Sequence, residues 1–245
     1  MKKHIPNFLT SLNLFFGCMA IMLAFRGNPE YAAWCILISA LLDFADGFAA
    51  RLLHAYSDIG KELDSLADVI SFGVAPAAIL YQLTATSLAV NHPEFSIAHP
   101  AFTEWILLLA PFIIPVFSAL RLAKFNLDER QTSSFIGLPT PANALFFLSL
   151  TFWNAHSLYE QLMGISWILP VLILIFSYLL VSEIPMFSLK IKNLSWKGNE
   201  IRMCFLIISL ILFGLFGFKS LTLIIILYIL LSALTPFIFR PDVAK

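Results

Sequence analysis

Four aspartates stand at helical spacing within one short stretch: Asp43 and Asp46, three apart, then Asp64 and Asp68, four apart. Residues three or four apart share a helix face, so each pair turns two carboxylates to one side. The flanking sequence is strongly apolar, and a carboxylate at the centre of a membrane helix costs roughly 2.5–3.5 kcal/mol even on a lenient insertion scale. Four of them call for neutralisation. Hard divalent cations that prefer oxygen, Mg²⁺ or Mn²⁺, supply it. The short connection from Leu52 to Ile59 makes the two helices antiparallel neighbours, with the pairs facing at similar depth. Two cations about 3.5–4 Å apart are a device for in-line displacement at phosphorus. The small residues fit that chemistry. Gly47, beside Asp46, opens the backbone to a ligand, while Ala49 and Ala50 permit close helix packing. Arg51 offers a fork of donors to phosphate. A solvated acidic face paired with Arg51 and Lys61 would explain any one aspartate, but not the whole spaced set.

The elements that carry these residues follow from composition. The chain has 245 residues, 60% of them hydrophobic and 12% charged, and a mean hydropathy of +0.87. Soluble domains are nearer about 25% charged, so this is an integral membrane protein. Apolar segments fall at about 8–25, 31–53, 60–84, 103–125, 135–156, 165–184, 202–218 and 220–239, each near the length a bilayer core requires. The expectation is an all-α, polytopic membrane helix bundle of eight transmembrane helices, forming a single domain over residues 1–245. A six-helix alternative sets the last two segments aside as a hairpin outside the core. The third segment carries Asp64, Asp68, Ser71 and Gly73 and must be shielded by its neighbours, with a kink expected at Pro76. The first reads as a retained helix, not a leader, because Asn7, Thr10, Ser11 and Asn13 interrupt its apolar run.

Zero formal net charge gives no footprint for nucleic acid, and none is expected as a partner. Cys18, Cys35 and Cys204 are isolated, which argues against a zinc site or a disulfide framework. With the N-terminus inside, thirteen of the fifteen lysines and arginines fall on the cytoplasmic side, and only Arg26 and Lys219 outside. That asymmetry places both termini, and the aspartates, at the cytoplasmic face.

The run Asp43-x2-Asp46-Gly47-x2-Ala50-Arg51-x8-Gly60-x3-Asp64-x3-Asp68 resembles, at every fixed position, the signature of the CDP-alcohol phosphatidyltransferases. The resemblance implies a membrane enzyme, usually a homodimer, that moves a substituted phosphate from a CDP-linked lipid to an alcohol and releases CMP. It implies two metal ions held by Asp43, Asp46, Asp64 and Asp68, with Asp68 also the general base. It further implies contacts to the CDP moiety from Gly47, Arg51 and Ser57. The segment from Ile5 to Thr10, including Asn7, is similar to the family's first-helix entry against the nucleotide, although Pro6 and Asn7 alone read equally as a helix start.

The signature leaves the acceptor open. Arg121-Leu-Ala-Lys124-Phe-Asn126 and the stretch from Phe135 to Asn143 resemble the branch whose donor is CDP-diacylglycerol and whose acceptor is L-serine. Arg121 or Lys124 would then meet the serine carboxylate, and Asn126 or a carbonyl near Pro139 or Pro141 the ammonium. Positive-inside flanking explains Arg121 and Lys124 equally well. Glycerol 3-phosphate or an inositol phosphate is the alternative acceptor, and each should call for more basic residues. A metal-ion transporter is the remaining reading. It predicts carboxylates at mid-membrane in repeated halves, and the chain shows neither. A cell-membrane enzyme with its site at the cytoplasmic face is expected.

Overall fold

The computed structural model describes residues 4–92, 94–128, 135–153, 167–187 and 199–238. Helix α1 (His4–Phe25) runs into α2 (Pro29–Leu52) through a turn whose chemistry is legible in Arg26-Gly27-Asn28-Pro29. Gly27 takes a left-handed φ of 75° and its N–H meets the Ala24 carbonyl, while Asn28 N–H reaches back to Leu23. That is a Schellman stop, and Pro29 opens the next helix where its missing N–H is not needed. A second short turn leads to α3 (Asp58–Asn91), whose first turn is capped by Ser57 Oγ accepting from Gly60 N at 3.1 Å.

Small residues let α1, α2 and α3 approach closely. Ala20, Ala24, Ala32, Ala33, Ala75 and Ala78 meet in one buried cluster around Ile36 and Phe72. The Asn13 carbonyl ties the three helices, accepting from Ser39 Oγ and Ser71 Oγ, both at 3.0 Å. Helix α3 is not kinked simply at Pro76. Its hydrogen bonding widens to a π-type turn over Val69–Val74, immediately after Asp68 and before the proline, with Ala75 N–H bonded to Ile70 O. Such single turns concentrate at functional sites.

Helix α4 (Phe102–Leu127) follows, then α5 (Thr140–Phe152) and α6 (Ile168–Val181). These last two are shorter than the segments 135–156 and 165–184 led us to expect. Gly137, at φ 76°, and the prolines at 139 and 141 delay the start of α5. Helix α6 stops at Ser182, where the chain turns extended. The stretches beside them pair as a two-residue antiparallel ribbon, β1 (Phe135–Ile136) with β2 (Pro185–Met186), the one departure from an all-helical fold among the described residues.

Helices α7 (Glu200–Phe216) and α8 (Ser220–Ile238) form a hairpin about Gly217, at φ 58°. A continuous helix would hold Phe205 and Tyr228 about 35 Å apart at 1.5 Å per residue; their ring centroids are 5.9 Å apart. Helix α8 packs on the bundle, burying Ile225 and Tyr228 against Phe146, Phe176 and Phe187, whereas most of α7 is exposed. The hairpin is attached mainly through α8, with Phe205 of α7 stacked on Phe187 at 5.6 Å.

Five helical stretches are long and apolar enough to cross a membrane: His4–Phe25, Pro29–Leu52, Asp58–Asn91, Phe102–Leu127 and the hairpin run Glu200–Thr235. The chain is thus an integral, helical membrane protein. Arg51, Lys61, Arg121 and Lys124 lie toward the aspartate end of the bundle, while Arg26 and Lys219 sit in the turns at the other. Of the basic residues assigned to the cytoplasm, Lys2, Lys3, Arg130, Lys190, Lys192, Lys197, Arg240 and Lys245 lie outside the described residues.

Candidate active site

Antiparallel packing brings the end of α2 against the beginning of α3, and the helical spacing of the aspartates then does what the periodicity implied. Oxygens of Asp43, Asp64 and Asp68 lie within 4.8 Å of one another. Asp68 is 7% exposed, and the other two are half-buried. Asp64 Oδ1 and Asp68 Oδ1 are buried with no hydrogen-bond partner among the described residues. Buried carboxylate oxygens left so are costly. Three converging carboxylates with two unsatisfied oxygens fit a hard divalent cation, which would take those oxygens as ligands.

Asp46 stands one turn along α2 and is held differently. Its Oδ2 accepts from Thr10 Oγ1 on α1 at 2.6 Å, and both residues are buried. Its charge still acts on Asp43, so it borders the cluster without joining its tightest part. Thr10 had no role in the sequence reading beyond the first-helix segment. The signal was present, since Thr10 lies three residues after Asn7 on the same helix face. It became readable only with α1 placed against α2.

The residues matched to a nucleotide lie beside this cluster. Gly60 is enclosed by Asn7 and Ser57: an ideal Cβ there would fall 2.9 Å from Asn7 Oδ1 and 2.9 Å from Ser57 Oγ. Asn7, Ser57 and Gly60 therefore meet at one spot between α1 and α3. The Arg51 guanidinium lies over Gly47, 3.6 Å from where a Cβ would stand. Neither neighbouring cation pairs off the aspartates. Lys61 Nζ donates instead to the Asn126 carbonyl at 3.2 Å, and Arg51 is exposed.

The candidates on α4 divide. Arg121 is 7% exposed, donates through Nη1 to Thr140 Oγ1 at 3.5 Å, and stacks its guanidinium over Phe125 at 5.2 Å. Its charge acts on both Asp68 and Asp43, which places it at the cluster's edge. Lys124, one turn on, is exposed. Arg121 and Lys124 together line a cavity of about 410 Å³. Asn126 Nδ2 donates to Ser65 Oγ at 2.9 Å, beside Asp64 in sequence, and so fastens α4 to α3. Two further buried groups stand nearby, Ser118 Oγ, which the sequence analysis does not single out, and the side-chain amide of Asn143, both without partners among the described residues. Each lies one turn from a member of the Arg121–Thr140 pair, and Gly73 lets α3 approach Ser118 closely. Their signal was a polar residue three positions from another in an apolar helix.

Comparison with known proteins gives the family. The CDP-alcohol phosphatidyltransferase family model matches residues 3–181, ending with α6. Among relatives, a protein of Bacillus subtilis is 34% identical over 150 residues, covering 61% of this chain and 76% of its own. One from Mycobacterium leprae is 34% identical over 198 residues, with 74% and 57% covered. One from Helicobacter pylori is 37% identical over 142 residues, with 57% and 54% covered. Each is named as a CDP-diacylglycerol–serine O-phosphatidyltransferase. The matched region spans three quarters of the first and little more than half of the other two.

Proposed function

Because this chain belongs to the CDP-alcohol phosphatidyltransferase family, we propose that it transfers the phosphatidyl group of CDP-diacylglycerol to the hydroxyl of L-serine, giving phosphatidylserine and CMP. The observation that carries the proposal is the convergence of Asp43, Asp64 and Asp68 within 4.8 Å, with unsatisfied oxygens on two of them. The names of the relatives support serine as acceptor. Asp43, Asp64 and Asp68, with Asp46 beside them, would hold one or two Mg²⁺ or Mn²⁺ ions. When bound, such ions neutralise charge on the diphosphate and on the departing phosphate.

The protein's own groups have distinct tasks. Asn7, Gly47, Arg51 and Ser57 bind the cytidine diphosphate half of the donor, with Arg51 supplying charge to the phosphate. Asp68, buried and with one oxygen free of protein donors, accepts the serine hydroxyl proton. The serine oxygen forms a bond to the phosphorus bearing diacylglycerol. The bond from that phosphorus to the bridging oxygen breaks, CMP keeps the electron pair, and the proton passes from Asp68 to solvent. Arg121, with Lys124, orients the serine carboxylate. No Ser, Cys or His stands out in the sequence as a nucleophile, which favours direct attack.

We place this site at the cytoplasmic face of the cell membrane, because the basic residues that flank it follow the positive-inside pattern. The chain acts as one unit, α7 and α8 included, and works as a homodimer by family resemblance. The test is transfer from CDP-diacylglycerol, with Mn²⁺ or Mg²⁺, to a panel of labelled alcohols. Serine should be incorporated with stoichiometric CMP. Incorporation of glycerol 3-phosphate or an inositol phosphate in place of serine would end the proposal.

A further inference from the structure

Asn13 stands in the apolar run of α1, and neither the fold nor the proposed reaction uses its side chain. The residue is fully buried, and both atoms of its amide, Nδ2 and Oδ1, have no hydrogen-bond partner among the described residues. A buried amide left so costs the desolvation of both groups. We infer that Asn13 is a positioning residue for the transfer: its amide N–H donates to the carboxylate of Asp68 and fixes how that group faces the ions and the acceptor hydroxyl. The inference rests on the phosphatidyl-transfer reading and adds to it a residue that the reading leaves idle.

The direction of the side chain follows from the helix it stands on. Along an α-helix the carbonyls point toward the C-terminus, whereas the side chains lean toward the N-terminus. The Asn13 carbonyl meets Ser39 Oγ of α2 and Ser71 Oγ of α3, both at 3.0 Å. The amide therefore leaves Asn13 the other way, toward the end of the bundle where the aspartates stand. On α2, which runs against α1, the residue one turn that way from Ser39 is Asp43. On α3, which runs parallel to α1, the residue one turn that way from Ser71 is Asp68. Thr10, one turn before Asn13, already donates to Asp46 Oδ2 at 2.6 Å. Asn13 is thus the next donor along a face of α1 that meets carboxylates at matching depth.

Of the two carboxylates, Asp68 is the one left short. Asp43 and Asp64 meet side chain to side chain, while Asp68 Oδ1 is buried with no partner among the described residues. Carboxylates that ligate a metal are themselves hydrogen-bonded, and that second contact sets their orientation. An unpaired N–H and an unpaired carboxylate oxygen at neighbouring turns answer one another. The frame around them is close-packed: a Cβ on Gly17 would strike Ser71, and Asn13 presents no surface to water. A protein group, not solvent, is therefore what satisfies this amide.

The test uses the full-length protein with CDP-diacylglycerol, L-serine and Mn²⁺. Asn13→Leu removes the amide at similar volume, and Asn13→Asp keeps its shape but replaces the N–H with an acceptor. At saturating Mn²⁺ both should lower kcat about ten- to hundredfold, the range for losing a hydrogen bond to a charged group. KM for CDP-diacylglycerol should stay within about twofold, because the donor corner at Asn7 and Ser57 is untouched. Mere packing in the core would spare kcat in Asn13→Leu, and an amide oxygen serving as a metal ligand would spare it in Asn13→Asp. Unaltered kcat in either variant, or a loss confined to KM, overturns the inference. A second measurement needs no variant to fold. In a crystal structure of the unaltered protein with Mn²⁺, the Asn13 amide should stand within hydrogen-bonding distance of the Asp68 carboxylate, and an amide facing elsewhere overturns the inference as well. Unaltered protein that releases no CMP with serine removes the underlying transfer reading instead, while the crystal structure still decides the contact.

Discussion

Replacing Thr10 with valine isolates one hydrogen bond at the site without changing side-chain shape. The Thr10 hydroxyl lies 2.6 Å from Asp46 Oδ2 and 3.1 Å from the Pro6 carbonyl. The shorter contact, to a carboxylate, falls in the charge-assisted range for O–H···O⁻. Thr10 and Asp46 are 3% and 6% exposed, so water does not readily replace the lost donor. A hydrogen bond to a charged group contributes about 1.5–3 kcal/mol, or roughly ten- to hundredfold in an equilibrium or a rate. Loss of a group that orients a metal-binding carboxylate has a similar range, about 10–100-fold in metal affinity or activity. Thr10→Val should therefore raise the Mn²⁺ concentration for half-maximal transfer about ten- to hundredfold. Thr10→Ser, which keeps the hydroxyl, should restore most of the loss. The assay is CMP release from CDP-diacylglycerol across a metal titration, with free Mn²⁺ followed in parallel by its paramagnetic resonance. A Thr10→Val curve within twofold of the unaltered protein would refute the reasoning and remove Asp46 from the metal site.

Further outcomes follow from the same geometry. Asp43→Asn, Asp64→Asn and Asp68→Asn should each weaken Mn²⁺ binding, and Asp68→Asn should stay inactive even at saturating Mn²⁺ because it also removes the base; CMP release beside Mn²⁺ binding separates the two effects. Gly60→Ala gains about 1 kcal/mol of helix propensity and crowds Asn7 and Ser57. It should leave the unfolding temperature within a few degrees but raise KM for CDP-diacylglycerol, and an unchanged KM would detach that corner from the donor. Gly17→Ala would set a Cβ 2.9 Å from Ser71 Cα. Overpacking of this kind costs typically 1–3 kcal/mol, which thermal unfolding in detergent should register as a clear loss of stability. Arg121→Ala should raise KM for serine more than KM for the lipid donor.

The parts of the site that were legible in the sequence are those governed by a single local rule. Helical periodicity sets Asp43, Asp64 and Asp68 on facing sides once two helices are neighbours, and Gly27-Asn28-Pro29 specifies its turn by backbone preference alone. The parts that were not legible depend on what a distant segment does. Asn126 carries the same donors whatever its partner, and only the placement of α4 on α3 brings out its bond to Ser65. The π-type turn after Asp68 replaces the expected simple proline kink because the hydrogen-bonding register slips before Pro76, and no propensity scale encodes that slip. The β1–β2 ribbon beside the left-handed Gly137 joins segments about fifty residues apart in sequence. That pairing has no periodic signature. Thr10 is an intermediate case, since its spacing from Asn7 was visible but its partner was not.

The central claim is that buried carboxylates from two adjacent helices hold divalent cations for phosphatidyl transfer. Its most direct test is a crystal structure of the protein with Mn²⁺ and a cytidine diphosphate ligand, measured at the manganese absorption edge. Anomalous density should stand between Asp43, Asp64 and Asp68 within coordinating distance of their carboxylate oxygens. Manganese elsewhere, or none between these residues in protein that transfers at full rate, would contradict the account.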